Sequence, residues 1–241
     1  IFNVSPRNEV DLNLILAGSV LISTLQLKTR AKSYFERLSE KRITALAFEF
    51  IKDPFGSYPA VEALSEIAGQ SSVLIASELM ANTSDGNGLM FGNISGVPPT
   101  EVVVVGAGTV GYFAAKSALG LGANVKIFDS SITKLRKIQK ELQTNIYTST
   151  LQPKNLIKSL KRADVLIGAV RGKNRSPIII TEEMVEKMKR NSVIIDVSID
   201  MGGCVETSEI TTHDNPTQTK HGVIHYGVPN IPSRYSRSAS I

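Results

Sequence analysis

Four valines, Val102 to Val105, run directly into Gly106-Ala-Gly108-Thr-Val-Gly111, and this junction constrains the fold more than any other stretch of the chain. A run of branched apolar residues has no polar face, so it suits a strand buried on both sides. Each glycine that follows has its own use. Gly106 lets the chain turn sharply, Gly108 lets the backbone approach a pyrophosphate, and Gly111 lets helix and strand pack closely. The helical pattern that begins here would point free N–H groups and a positive dipole end at phosphate. A second apolar run then ends in Asp129, about 20 residues on, where an acid can accept the hydroxyls of an adenosine ribose. A glycine triplet alone is a weak signal. Strand, glycine loop, helix, second strand and terminal acid in series specify a dinucleotide site. A carboxylate at that position repels a 2′-phosphate, which favours NAD(H) over NADP(H). The cations beyond it, Lys134, Arg136 and Lys137, read as a solvated helix face.

The rest of the chain repeats this alternation. Strands are predicted over 101–105, 124–128, 145–149, 164–169 and 192–197, with helices over 110–121, 131–142, 153–161 and 181–188 between them. A last strand is predicted over 224–228. Strands separated by helices of this length make an α/β fold with a doubly wound parallel sheet. Upstream the pattern is less regular. Residues 1–4 read as a short strand, and residues 10–26 mix polar and apolar positions. Residues 29–39 form an amphipathic helix with Tyr34, Phe35 and Leu38 on one face, and 43–50 are rich in strand formers. A long helix over 60–81 leads into the glycine-loop region, with a loop or hairpin over 83–99. This divides the chain into part of a second α/β domain (1–58), a Rossmann-type nucleotide domain (59–236) and the start of a return (237–241). The chain opens on an apolar segment without Met and closes in mid-phrase, so a piece of a longer protein is expected.

Composition removes several classes of function. With 42% apolar and 20% charged residues among 241, a sizeable core can be buried. A net charge of +5 is spread along the chain without a dense basic block, which argues against nucleic acid as a partner. No apolar stretch is long enough to span a bilayer, and no signal-peptide pattern is present. One cysteine, Cys204, excludes an internal disulfide and suits a reducing, cytoplasmic setting.

In open α/β sheets the ligand lies at the carboxyl ends of the strands. Besides the glycine loop and the segment after Asp129, this singles out the loops after the strands near 164–169 and 192–197. The second contains Asp200, which follows an apolar strand and precedes Gly202-Gly203. A carboxylate there could exchange protons with a substrate, or it could simply cap a turn. The glycine pair leaves room for a ligand or for a tight turn. His213, His221 and His225 lack metal-ligand spacing, so no metal site is expected. Cys204 reads as a small buried residue.

Several separated phrases then carry a family likeness. The glycine loop, Asp129, GAVRGKNRSP, TEEMVEKMK and above all IIDVSIDMGGCVETSEITTH resemble the alanine dehydrogenase branch of the alanine dehydrogenase/transhydrogenase family. ALAFEF…GSYPAVEALSEIAGQ upstream and HYGVPNIPSRYSRSAS downstream are similar to that family as well. The resemblance runs over roughly residues 43–241. It implies reversible, NAD-dependent oxidative deamination of L-alanine to pyruvate and ammonia, in a homo-oligomer that is often a hexamer. It implies that Ser65, Gly106, Gly108, Thr109, Val110, Gly111, Asp129, Val170 and Arg171 contact the cofactor. Val197 and Asn230 would lie near the nicotinamide end, and Asp200 would be the catalytic acid/base. The front of the chain departs from the family pattern. Ser5 and Gln26 stand near where the family has a substrate-binding Lys and a His, which leaves Gln26 as a candidate substrate contact. Gln26 can hydrogen-bond a carbonyl oxygen but cannot donate a proton as an imidazolium can. A transhydrogenase-like nucleotide-binding subunit and a non-catalytic NAD(H) sensor are the alternatives. The Ile-Asp before Gly-Gly disfavours the former.

Overall fold

The computed structural model describes residues 2–3, 9–25, 27, 30–172 and 175–240. It divides into two compact units, one comprising Ile1–Ser65 with Pro232–Ile241 and the other Glu66–Ile231.

The first unit contains β1 (Phe2–Asn3), α1 (Glu9–Asn13), β2 (Val20–Ser23), α2 (Lys32–Glu40) and β3 (Thr44–Ala47). The three strands form a parallel sheet in the order β1-β2-β3. Tyr34 and Leu38 of α2 are buried against Leu12, Ile15, Leu21 and Leu25, with Phe35 packed beside them. The ammonium of Lys41 donates to the carbonyls of Leu12, Asn13 and Ile15 at 2.6–2.9 Å. A cation thus gathers carbonyls at and just beyond the end of α1. The mixed stretch 10–26 holds the end of α1 and all of β2. The strand-rich stretch 43–50 is a strand only over β3. Phe48–Phe50 wind into a 3-10 turn, and Glu49 of that turn accepts the N–H of Leu25 at 2.7 Å.

Helix α3 (Pro59–Leu79) contains the division between the units. The second unit continues through β4 (Glu101–Val105), α4 (Thr109–Gly120), β5 (Asn124–Phe128), α5 (Ile132–Leu142), β6 (Tyr147–Ser149) and α6 (Pro153–Leu160). It is completed by β7 (Val165–Gly168), α7 (Glu182–Val185), β8 (Val193–Asp196), β9 (Thr217–Lys220) and β10 (Val223–Tyr226), and α8 (Ser236–Ala239) follows in the first unit. Seven strands form one sheet in the order β6-β5-β4-β7-β8-β10-β9. All neighbours run parallel except β9, which is antiparallel to β10.

Successive side chains of a strand point to opposite faces, and here both faces are covered. Val102, Val104, Ile127, Ile167 and Ile195 pack under Ala114, Ala115 and Ala118 of α4 and Leu135 and Ile138 of α5. Val103, Val105, Phe128, Leu166 and Ile194 pack under Leu156 and Leu160 of α6 and Val185 of α7. This is why the central strands β4, β7 and β8 read as nearly unbroken apolar runs.

Three segments depart from the sequence reading. The helix predicted over 181–188 is regular only over α7, and the turns beyond it still bury Met188. Val197 does not extend β8. It begins a 3-10 turn, Val197–Met201, that carries Asp200. The antiparallel β9 has the sequence Thr-Gln-Thr-Lys, which is polar and mostly half-exposed and carries no apolar alternation by which to recognise it. Among the described residues no helix is long and apolar enough to cross a membrane.

Candidate active site

From β4 the chain first moves to one side of the sheet, through β5 and β6. It then crosses to the other side through β7 and β8. The order therefore reverses between β4 and β7, and such a switch point opens a crevice at the strands' carboxyl ends. Five consecutive strands, β5, β4, β7, β8 and β10, deliver candidate residues to that edge: Asp129, the glycine loop, Val170 with Arg171, Val197 with Asp200, and Asn230.

The glycine loop follows β4 at once. Gly106 has φ +110°, and a side chain there would strike the carbonyl of Ala169 after β7. Gly111 lies against the Gly106 carbonyl and Val104, so the first turn of α4 sits on the strand. Gly108 differs from both, since nothing lies within 4 Å of where its side chain would be. It precedes Thr109, and α4 has neither a side-chain cap nor an acid in its first turn. The leading N–H donors of α4, at Thr109, Val110 and Gly111, therefore face a gap that suits an anion. Asp129 is 8% exposed, and both of its oxygens already accept backbone donors. Oδ2 takes the N–H of Ala107 at 2.7 Å and Oδ1 that of Ser131 at 2.7 Å. Asp129 is thus also a strut that shapes the glycine loop, a role its sequence position does not announce. A carboxylate has roughly four acceptor sites, so capacity for ribose hydroxyls remains.

Asp200 lies in the 3-10 turn after β8. Its Oδ1 accepts the N–H of Asn230 at 2.9 Å. Asn230 is at φ +53°, so the left-handed backbone turns this N–H toward the carboxylate. The Asp200 side chain keeps solvent contact. Crowding by neighbouring protein still pushes its carboxyl above the ordinary range, the Asn230 hydrogen bond opposes this, and the nearby negative charge of Asp196 reinforces it. Gly202 and Gly203, read as room for a ligand or a turn, make room for the protein itself. A side chain on Gly202 would meet Arg175, and one on Gly203 would meet Asp196 Oδ2 at 2.9 Å. Asp196, at the end of β8, is 1% exposed. It is the residue here that the sequence reading passed over. An acid closing an apolar strand four residues before a second acid was the available signal.

Val170 is half-buried, and its carbonyl accepts the Ser176 hydroxyl at 2.9 Å, while Arg171 is exposed. Val197 packs against the sheet core. Ser65 lies in α3, where its hydroxyl donates to the Val61 carbonyl at 2.7 Å. Ser5 and Gln26 lie outside the described residues. Cys204 is fully buried, and burial pushes its thiol up to about 12, far from a reactive thiolate. His225 is also buried. Its Nδ1 lies 2.9 Å from the Val223 carbonyl and its Nε2 2.8 Å from the Thr207 hydroxyl. The carbonyl can only accept, so Nδ1 carries the proton and Nε2 accepts from Thr207. Burial lowers this histidine to about 4. It holds structure and carries no charge at neutral pH.

Residues 72–241 match the family model described as "Alanine dehydrogenase/PNT, C-terminal domain". An alanine dehydrogenase from Staphylococcus epidermidis is 38% identical over 224 residues, covering 92% of this chain and 60% of that protein. Among solved structures, an L-alanine dehydrogenase aligns with a TM-score of 0.90 and 35% identity over 98% of this chain and 66% of the other. A transhydrogenase from Sinorhizobium meliloti aligns with a TM-score of 0.80 and 23% identity over 99% of this chain and 69% of the other, a likeness of fold alone. The chain spans about 60% of the length of the curated relatives it matches.

Proposed function

This chain belongs to the alanine dehydrogenase/PNT family, and on that premise we propose that it is the nucleotide-binding part of an NAD-dependent enzyme that reversibly converts L-alanine to pyruvate and ammonia. The observation that carries the reading is Asp200. It is a solvent-reachable carboxylate at the sheet edge that also holds the glycine loop, and its proton affinity is raised by its surroundings.

The residues present fit a nicotinamide dinucleotide. The gap at Gly108 and the uncapped start of α4 suit a pyrophosphate, and Asp129 suits a ribose without a 2′-phosphate. Val170 and Arg171 flank the same region, Val197 and Asn230 serve the nicotinamide end, and Ser65 is a further contact. NAD, when bound, supplies the hydride acceptor for the substrate Cα–H bond. The chain's own residues handle the proton. Asn230 holds one oxygen of Asp200 and leaves the other to take a proton from the amine or the attacking water, and to return it in reductive amination. A carboxyl pushed upward toward neutrality is better matched to that exchange than an ordinary aspartate.

In this reading residues 1–58 belong to the substrate-side domain, 59–236 bind the nucleotide, and 237–241 begin the return. Gln26 is a substrate contact, and the protein works in the cytoplasm as a homo-oligomer. The test is direct. Intact protein is mixed with pyruvate, ammonium and NADH, and absorbance of the reduced cofactor is followed. Ammonium-dependent loss of signal is expected. Tight NADH binding without turnover of any keto acid would overturn the reading in favour of a sensor.

A further inference from the structure

We propose that Asp196 is a positioning residue for this site, a buried carboxylate that fixes the turn carrying Asp200 and sets the field in which Asp200 works. The inference rests on Asp200 being the acid/base of the proposed reaction.

The geometry is that of a built socket. Oδ1 of Asp196 accepts the N–H of Ser198 at 3.0 Å. Oδ2 accepts the N–H of Cys204 at 3.0 Å and that of Val205 at 3.1 Å. The donors lie on both sides of Asp200 in the chain, so one carboxylate closes the whole turn from beneath. The Cys204 thiol is a further donor, 3.7 Å from Oδ1. Two glycines give the carboxylate its space. A side chain on Gly168 would come within 3.3 Å of Oδ1, and one on Gly203, at φ +75°, within 2.9 Å of Oδ2. Burial raises the proton affinity of Asp196, and the three N–H donors oppose the rise. Because every partner is a donor, the ionised form is the one the socket fits.

The turn is anchored on its far side as well. Ser176 N–H donates to the Met201 carbonyl at 2.8 Å, Ile179 and Ile180 donate to the Cys204 carbonyl, and Glu206 N–H donates to the Ile180 carbonyl at 2.8 Å. With both ends pinned, Asp200 projects from a short arch whose shape Asp196 controls. Among the described residues, Asp196 from the end of β8 and the Asn230 N–H from the loop after β10 act on Asp200, and Arg175 from the loop after β7 lies over Gly202. Among these, Asp196 is the like charge. Its removal relaxes the upward pressure on Asp200.

The test uses the intact protein and two variants. Asp196→Asn keeps the shape, but its amide nitrogen faces N–H donors, so part of the clamp is lost together with the charge. Gly203→Ala keeps the charge and pushes a side chain against the carboxylate. Thermal melting establishes that each variant folds. NADH affinity is expected to stay within about twofold of the parent while turnover falls about tenfold or more, because a displaced acid/base costs rate rather than cofactor binding. In Asp196→Asn the Asp200 titration, followed by carbon NMR of labelled aspartate, is expected to move to lower pH, which a purely structural clamp would not require. Should Asp196→Asn fail to fold, Gly203→Ala decides through its turnover. Parent-like turnover in the folded variants, or an unmoved Asp200 titration in Asp196→Asn, overturns the inference. A parent protein without ammonium-dependent NADH oxidation instead overturns the dehydrogenase reading. A shifted Asp200 titration would then still uphold the part of Asp196.

Discussion

The loop after β4 and the turn after β8 lie at one sheet edge and are both glycine-rich, yet glycine serves opposite ends in them. Around Gly108 the space a side chain would fill is empty. Around Gly202 and Gly203 that space holds Arg175 and Asp196. In the first loop Gly108 keeps open space while Gly106 and Gly111 clear the protein's own backbone, and in the second both glycines clear the protein's own side chains. Glycine in a strand-end loop therefore says only that space is kept. What occupies the space separates an open position from a packed one.

Substitutions can break or sharpen this contrast. The largest effect is expected at Asp200. Asp200→Asn should leave NADH affinity nearly intact and lower turnover about a thousandfold, within the usual span for a general acid/base. Surviving activity would sink the assignment. Gly108→Leu should do the reverse. Its side chain enters the gap, and NADH affinity should fall up to about a hundredfold, ~3 kcal/mol, with the melting temperature kept. An unchanged dissociation constant by fluorescence titration would show that the gap is not the phosphate site.

A smaller effect separates the turn from the strand that supports it. His225 on β10 has a folded pKa of about 4, below its ordinary value, so its neutral form is the one folding prefers. Its contribution to stability is complete above about pH 6.5 and is lost as pH falls toward the folded value, by about 2 kcal/mol at about pH 5. Chemical denaturation of the parent and of His225→Gln across this range checks it. A parent whose stability is flat from pH 7 to 5 would remove the histidine from the account. The smallest effect is expected at Asp129. Because this carboxylate also holds the Ala107 N–H, Asp129→Ala should weaken both nucleotides through the loop and NADH further through the ribose. A drop of about tenfold for NADH and less for NADPH is expected. Equal losses would leave Asp129 as a strut alone.

Much of this was legible in the residues. The unbroken apolar strands announced a sheet covered on both faces, and the glycine spacing marked the turn onto α4. What stayed hidden has physical reasons. β9 is polar because it is an edge strand. α7 is short because Val185 and Met188 can be buried by a turn as well as by a helix. Asp196 was passed over because a hydrogen-bonding clamp and a strand-terminal acid look identical in one dimension. The double role of Asp129 was hidden in the same way, since sequence distance does not show which amide a carboxylate meets. In the first unit, polar residues interrupt the hydrophobic pattern, and the 3-10 turn at Phe48–Phe50 follows from the hydrogen bond between Glu49 and Leu25 rather than from local propensity.

The antiparallel β9 gives the chain a short excursion. It leaves the edge near Thr217, which pairs with Tyr226, reverses at His221-Gly222 and returns along β10 to Asn230. The hydrogen bond between Asp200 and Asn230 therefore measures alignment. A slip of one residue between β8 and β10 would carry Asn230 about 3.4 Å along the strand, farther than the 2.9 Å that separates its nitrogen from the carboxylate. The hairpin works as a vernier, and the contact between Asp200 and Asn230 closes only when the sheet is set to the correct notch.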